Sequence, residues 1–481
     1  MATQNSFLSD LLKMGIGTAI PQGVNFLLTP AITRIYSPEA LGVTTIFLSL
    51  AAIVNISSCL RYELAIMLPK EDQVAEDLIL VSLLFCFITS IMLAVTLLFL
   101  GHLIAATLKC PSLQQYFWCL PPFVMINGLI LVFTQWCLRN QLFSSISISR
   151  ASGSLMSVGI KLGLGVMEFA TAGSLLAGET CRAVASSAYV MKEFFQNHKI
   201  SFFWSRPFWR LAAAAKQHKR FPIFNTWTGL LSSLTFYLPT MVLAHLFDAT
   251  VVGYYALANL VVQQPLTLLS TNISQVFYQR ISKAKDISQI SSFLHTTTHH
   301  IMRIGIIPVV ILGLIGQDLF TLLFGSQWQQ SGIYFQVMCP YLFFSFLNTC
   351  VSTSLYVIDR QDAVFYANAM LALFRLLSVL IGGFFRDALL TIGLISICDS
   401  IIYAIYTYWI LKNMGFTNSQ LSSLATVNFT KSAIFVGPVI LLFLVIDLTP
   451  ALRVIIAATA IAIHMIIIAN ANKSLLLSWT R

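Results

Sequence analysis

The chain has 481 residues, 57% of them hydrophobic and 10% charged, with a mean hydropathy of +0.81 and a formal net charge of +10. Soluble globular domains carry about a quarter charged residues, so a large water-soluble catalytic body is excluded. The basic excess is spread over short connections between apolar stretches, which marks membrane topology and sets nucleic-acid binding aside.

About fourteen apolar stretches fill the chain from Leu11 to Asn470, each near the ~20 residues that cross a ~30 Å hydrocarbon layer. Their expected limits are 11–32, 39–60, 78–101, 116–137, 148–169, 171–193, 220–245, 250–272, 299–324, 332–357, 362–385, 388–411, 430–447 and 451–470. They are too long and too evenly apolar for barrel strands. The expected fold is therefore all-α and polytopic. The opening MATQNSFLSDLLKMG has no basic stretch followed by an isolated apolar core and cleavage site, and reads as uncleaved.

An even number of spans places both termini on one side. Of 28 Lys and Arg, Arg34, Lys109, Arg386 and Arg453 lie beside the odd-numbered connections and Lys161, Arg182 and Arg375 inside spans; the other 21 lie in the tails and even-numbered connections. The positive-inside rule makes both termini cytoplasmic. The longest basic connection, Asn197 to Arg220, interleaves Arg206, Arg210, Lys216 and Lys219 with Phe202, Trp204, Phe208 and Trp209. Ser205-Arg206-Pro207 resembles a helix start, so 207–219 is expected on the membrane surface with its cations towards lipid phosphates.

Tyr36-Ser-Pro-Glu-Ala-Leu-Gly42 after the first span and Phe247-Asp-Ala-Thr-Val-Val-Gly253 after the seventh share an aromatic, a polar turn and a glycine at one spacing. Six intervening spans give the two copies the same orientation, the parallel repeat of some transporters. The expected organisation is a six-helix bundle over 1–193, an amphipathic connection over 194–219, a second six-helix bundle over 220–412, and two further spans with the tail over 413–481.

Several residues are ones that a bilayer excludes. Ionised side chains at a helix centre cost roughly 2.5–3.5 kcal/mol on insertion scales, yet Lys161, Glu168, Glu179, Arg182, Arg375 and Asp399 fall inside or near the ends of spans. Glu179 and Arg182, three apart, share a helix face and can neutralise each other. Lys161 and Arg375 have no opposite charge three or four residues away, so each needs water, a partner on another helix or an anionic ligand. Arg375 and Lys161 are the expected substrate contacts, and Arg34 and Arg61, at span ends, either join them or snorkel. Glu168, Glu179 and Asp399 are the buried carboxylates that a proton or sodium gradient would use. Pro21, Pro30, Pro121, Pro122, Pro239, Pro265, Pro308 and Pro340 are expected to bend helices, the first span above all. The nine cysteines lack CxxC or Cys/His spacing, and His295, His299 and His300 have no ligand set to complete them, so neither disulfide nor metal site is expected.

Arg61-Tyr62-Glu-Leu-Ala65-Ile-Met-Leu68-Pro69, Arg220-Phe221-Pro222, Gly253-Tyr-Tyr-Ala-Leu257-Ala258, Val276-Phe-Tyr-Gln-Arg280 and Phe324-Gly-Ser-Gln-Trp328 through Gly332-Ile-Tyr334 resemble, in order, the polysaccharide exporter family, in its branch of O-antigen and lipid-linked oligosaccharide flippases. The resemblance implies two six-helix bundles with two extra C-terminal helices. It also implies translocation of an undecaprenyl-pyrophosphate-linked repeat unit across a bacterial inner membrane, with a polysaccharide polymerase and a chain-length regulator as partners. No cofactor is implied. A drug exporter of the same superfamily would want interior carboxylates in excess, and a membrane-embedded transferase would want a catalytic cluster on a substantial loop; both remain as alternatives.

Overall fold

The computed structural model describes residues 21–197, 206–264, 287–356 and 361–471. The motif Val276 to Arg280, Pro265 and the first ten residues of the first expected span lie outside them. Among the described residues every regular element is a helix: α1 (21–35), α2 (Pro38–Ser58), α3 (Tyr62–Ala65), α4 (Asp72–Thr107), α5 (Leu120–Arg139), α6 (Phe143–Val166), α7 (Ala172–Asn197), α8 (Phe208–Gln217), α9 (Thr226–Leu246), α10 (249–264), α11 (Ile287–Phe324), α12 (Gln329–Ser352), α13 (Gln361–Phe384), α14 (Ala388–Asn413), α15 (Asn418–Val445) and α16 (Pro450–Ala471). Nine helical segments among the described residues are long and apolar enough to cross a membrane. Bare apolar faces such as Phe87, Ile91, Met92, Leu98 and Phe99 on α4 are exposed, which suits lipid and would drive association in water. The chain is a multi-pass membrane protein.

Helix starts follow local chemistry. Ser37 caps α2 by accepting from Ala40 N, with Pro38 in the first turn. Asp248 accepts from Val251 N at 2.8 Å at the start of α10, so both copies of the sequence repeat carry a polar cap one residue after the aromatic. Helices α11 and α15 begin twelve residues before their expected spans. Hydropathy sees only the apolar part, whereas a Thr417–Gln420 capping box starts α15 in its polar Ser/Thr-rich turns. Pro121 and Pro122 fall in the first turn of α5, where no helical hydrogen bond is lost and no bend is needed.

The chain forms two compact units, Met1–Ala256 and Leu257–Arg481. In the first, α6 packs along α7, and α2, α5 and α7 meet around an apolar core. Phe133 and Trp136 of α5 each stand 5.1 Å from the Phe194 ring of α7, and Leu78, Ile79 and Ile66 close the same cluster. Arg139 staples the turn before α4, donating to the carbonyls of Ile66 at 3.0 Å and Pro69 at 2.7 Å and to Asp72 at 2.9 Å.

The described part of the 194–219 connection belongs to this first unit. Two cations expected to face lipid phosphates instead pair within the protein: Arg206 with Glu76 and Asp77, and Arg210 with Asp77 at 3.3 Å. Local sequence gives no sign of this because the acids lie about 130 residues away, on α4. Tyr62 donates to the Ala215 carbonyl at 3.2 Å, and Phe208 and Trp209 remain exposed.

In the second unit α11 packs on α12, α12 and α13 on α14, and α15 and α16 on α11. Ile307, Ile311 and Ile315 of α11 lie against Val436 of α15 and Ala457 of α16, and His464 Nε2 donates to the Arg303 carbonyl at 2.9 Å.

Candidate functional site

Helices α6 and α7 are antiparallel neighbours joined by a short turn, so residues equally far from that turn meet. Lys161 and Glu179, each nine residues from Ala170, form an ion pair, Nζ to Oε1 2.5 Å. Glu179 Oε2 accepts from Arg182 Nε at 2.7 Å, and Ser157 Oγ lies 3.5 Å from Oε1. Gly178 makes room for the lysine: a Cβ there would stand 2.6 Å from Lys161 Cγ and 3.0 Å from the Ser157 carbonyl. The expected Glu179–Arg182 pair is present, but Lys161 joins it, so the lysine is not alone. One carboxylate serves two cations, leaving a net charge of +1.

Glu179 and Arg182 open onto a cavity of about 240 Å³ wholly within the first unit. Asn55 of α2, Asn127 of α5 and Tyr237 of α9 supply its other polar groups, with Leu48, Phe123 and Val124 as apolar lining. A cavity with few polar groups on apolar walls is the usual form of a ligand site. Asn55, Asn127 and Tyr237 carry no periodic or charge signal, and nothing in the sequence singles them out. They join Glu179 and Arg182 only when α2, α5, α7 and α9 come together.

The second buried pair repeats the hairpin logic. Arg375 of α13 and Asp399 of α14 lie twelve residues either side of Asp387, and Arg375 grips the carboxylate with Nε at 3.0 and 3.1 Å and Nη2 at 2.9 Å. The Asp399 side chain is 3% exposed. The lone intramembrane guanidinium expected from local spacing therefore has an opposite charge on the next helix, and the pair is neutral. Tyr341 and Tyr403 stand beside it, ring centroids 6.0 Å apart, and Tyr341 accepts from Gln263 at 3.0 Å.

The remaining candidates divide. Arg61 has a left-handed backbone, φ 62°, and lies 3.7 Å from Glu63, whose side chain is buried. A Cβ on Gly229 of α9 would stand 2.5 Å from Arg61 Nη2. Arg34 is exposed near the end of α1. Glu168 is exposed at φ 66° in the turn after α6, so it is not one of the buried carboxylates. Helix α6 ends at Val166, short of the expected limit, and this leaves Glu168 outside. Glu63 and Asp77 are buried instead, in segments whose hydropathy marks them as connection or helix end.

This helical architecture is the fold of transporters of the MOP superfamily. A structure of the lipid II flippase MurJ in an inward closed conformation matches with a TM-score of 0.75 at 13% identity, over 97% of this chain and 100% of that one. An inward-facing multidrug resistance MATE family transporter of the MOP superfamily matches with a TM-score of 0.63 at 12% identity, over 87% and 99%. A MOP superfamily transporter from Pyrococcus furiosus gives 0.52 at 13% identity, over 86% and 96%. No curated protein gives a significant sequence match. Residues 31–332 match a family described as polysaccharide biosynthesis protein, and the chain belongs to that family.

Proposed function

We propose that the protein is a flippase that carries an undecaprenyl-pyrophosphate-linked oligosaccharide, the repeat unit of O-antigen or a related surface polysaccharide, from the cytoplasmic to the periplasmic leaflet. The observation that carries this reading is the Lys161–Glu179–Arg182 group, a net cation inside a membrane-embedded unit and open to a cavity lined by amides and a phenol. Such a lining suits an anionic sugar-bearing head: the guanidinium takes phosphate or carboxylate oxygens, and Asn and Tyr take hydroxyls. A cationic drug would meet the wrong sign. Family membership and the MurJ-like fold support the same class of substrate.

In this proposal transport runs by alternating access in the inner membrane, with both termini cytoplasmic, and hands its product to a polymerase and a chain-length regulator. Arg182 is the primary anion contact, Lys161 holds Glu179 beside it, Arg34 and Arg61 guide the head on entry, and Arg375 contributes through its pair with Asp399. If a gradient drives the cycle, Glu179 and Asp399 are the intramembrane carboxylates that would couple it.

The test is a reconstituted assay that follows flipping of an undecaprenyl-pyrophosphate oligosaccharide by purified protein in vesicles, with and without a proton or sodium gradient. Flipping that Arg182→Ala abolishes is expected. Folded protein that flips no lipid-linked sugar would remove the function, and flipping indifferent to both gradients would remove coupling.

A further inference from the structure

A transporter for an anion has to bind its cargo without leaving a bare buried cation when empty. An unpaired guanidinium in a low-dielectric site is costly, and Glu179 answers for Arg182 in this structure, Oε2 to Nε 2.7 Å. Its two cationic partners are not equivalent. The Lys161 side chain is 14% exposed, and its stem is wedged against Gly178. That of Arg182 is 34% exposed and lines the cavity beside Asn55, Asn127 and Tyr237. One partner faces the protein and the other faces the space a ligand would fill. Glu179 holds Arg182 through Nε, one edge of a fork suited to bidentate acceptors.

We infer that Glu179 is a built-in counter-ion that occupies Arg182 in place of cargo, and that the incoming anionic head displaces it from Arg182 while it stays on Lys161. This inference rests on the proposed export of an anionic lipid-linked sugar. At each stage every buried cation of the group has an anionic partner. The empty site holds Lys161 and Arg182 around one carboxylate; the loaded site holds a neutral Lys161–Glu179 pair and an Arg182–cargo pair. The exchange costs no bare charge, and recapture of Arg182 by Glu179 drives release. Removing the carboxylate strengthens binding and slows turnover, the reverse of what loss of a binding residue does.

The experiment measures binding of farnesyl pyrophosphate, with farnesol as the uncharged control, to the full-length protein in nanodiscs by titration calorimetry, alongside flipping in vesicles. Glu179→Gln raises the charge of the site, so a second variant, Lys161→Met with Glu179→Gln, keeps it at the wild-type +1 and frees only the Arg182 fork. Both are expected to bind the pyrophosphate roughly tenfold more tightly, with farnesol unchanged, and to flip lipid-linked sugar more slowly. Adding Arg182→Ala cancels the gain. Pyrophosphate binding that is unchanged or weaker in whichever variant folds, while wild-type protein flips, overturns the counter-ion and leaves the flippase standing. A wild-type protein that binds the probe in an Arg182-dependent way but flips no lipid-linked sugar overturns the function instead.

Discussion

Gly42 of α2 and Gly253 of α10 lie backbone against backbone: a Cβ on Gly42 would overlap the Ala249 carbonyl oxygen, and one on Gly253 would overlap that of Pro38. These are the two glycines of the sequence repeat, each five residues past its polar cap, Ser37 or Asp248. The repeat thus marks where two helix starts cross with no side chain between them.

Gly42→Ala and Gly253→Ala are each expected to lower the melting temperature in detergent, because overpacking at a backbone contact costs about 1–3 kcal/mol or more. Gly163→Ala serves as control. Nothing stands within 4 Å of its added Cβ, and replacing a helical glycine there should stabilise by roughly 0.4–1 kcal/mol. Equal melting of all three variants would show that the contact is not as close as described.

Arg375→Ala leaves Asp399 buried without its fork and is expected to destabilise by about 3–5 kcal/mol, read as lost accumulation and a lower melting temperature. Arg375→Met with Asp399→Leu is expected to recover most of that stability, since replacing a buried pair by apolar residues is often neutral. If the double variant accumulates but does not export, the pair has a direct part in transport as well.

Asp77→Ala is expected to loosen α8. Arg210 loses its acid on α4 and Arg206 keeps only Glu76, so trypsin should cut at Arg210 and Lys216 several-fold faster than in the wild type. The global melting temperature should move little, because Arg206 keeps Glu76 and the half-buried Arg210 guanidinium reaches water. Cleavage at the wild-type rate would mean that the Arg206–Glu76 pair, Tyr62 and the apolar face of α8 hold the helix without Asp77.

Gly178→Val is expected to push the Lys161 stem off α7 and to lower export in an otherwise folded protein, as Lys161→Met alone is also expected to do. A second-site Lys161→Ala, which removes Cγ and beyond, should relieve the clash with the lysine stem and recover part of the melting temperature without restoring export, the Ser157 carbonyl remaining close. Full export by Gly178→Val would separate the lysine from transport.

Membrane class, the all-helical fold and family were legible in the sequence because burial in lipid is decided stretch by stretch. About twenty apolar residues suffice to cross the hydrocarbon layer whatever their neighbours, and Ser37, Asp248 and Thr417 carry the local signals that start helices. The partners of Lys161 and Arg375 were half legible. A search at three and four residues finds neither, yet each charge and its partner stand equally far from a short turn, at Ala170 and at Asp387, as an antiparallel hairpin requires. The rest depended on tertiary structure. Glu168 is exposed because α6 ends before it, Arg206 finds its acids about 130 residues away on α4, and the cavity exists because α2, α5, α7 and α9 bring Asn55, Asn127, Arg182 and Tyr237 to one place. Hydropathy is a property of a segment, whereas a polar site inside a membrane is a property of which segments are neighbours.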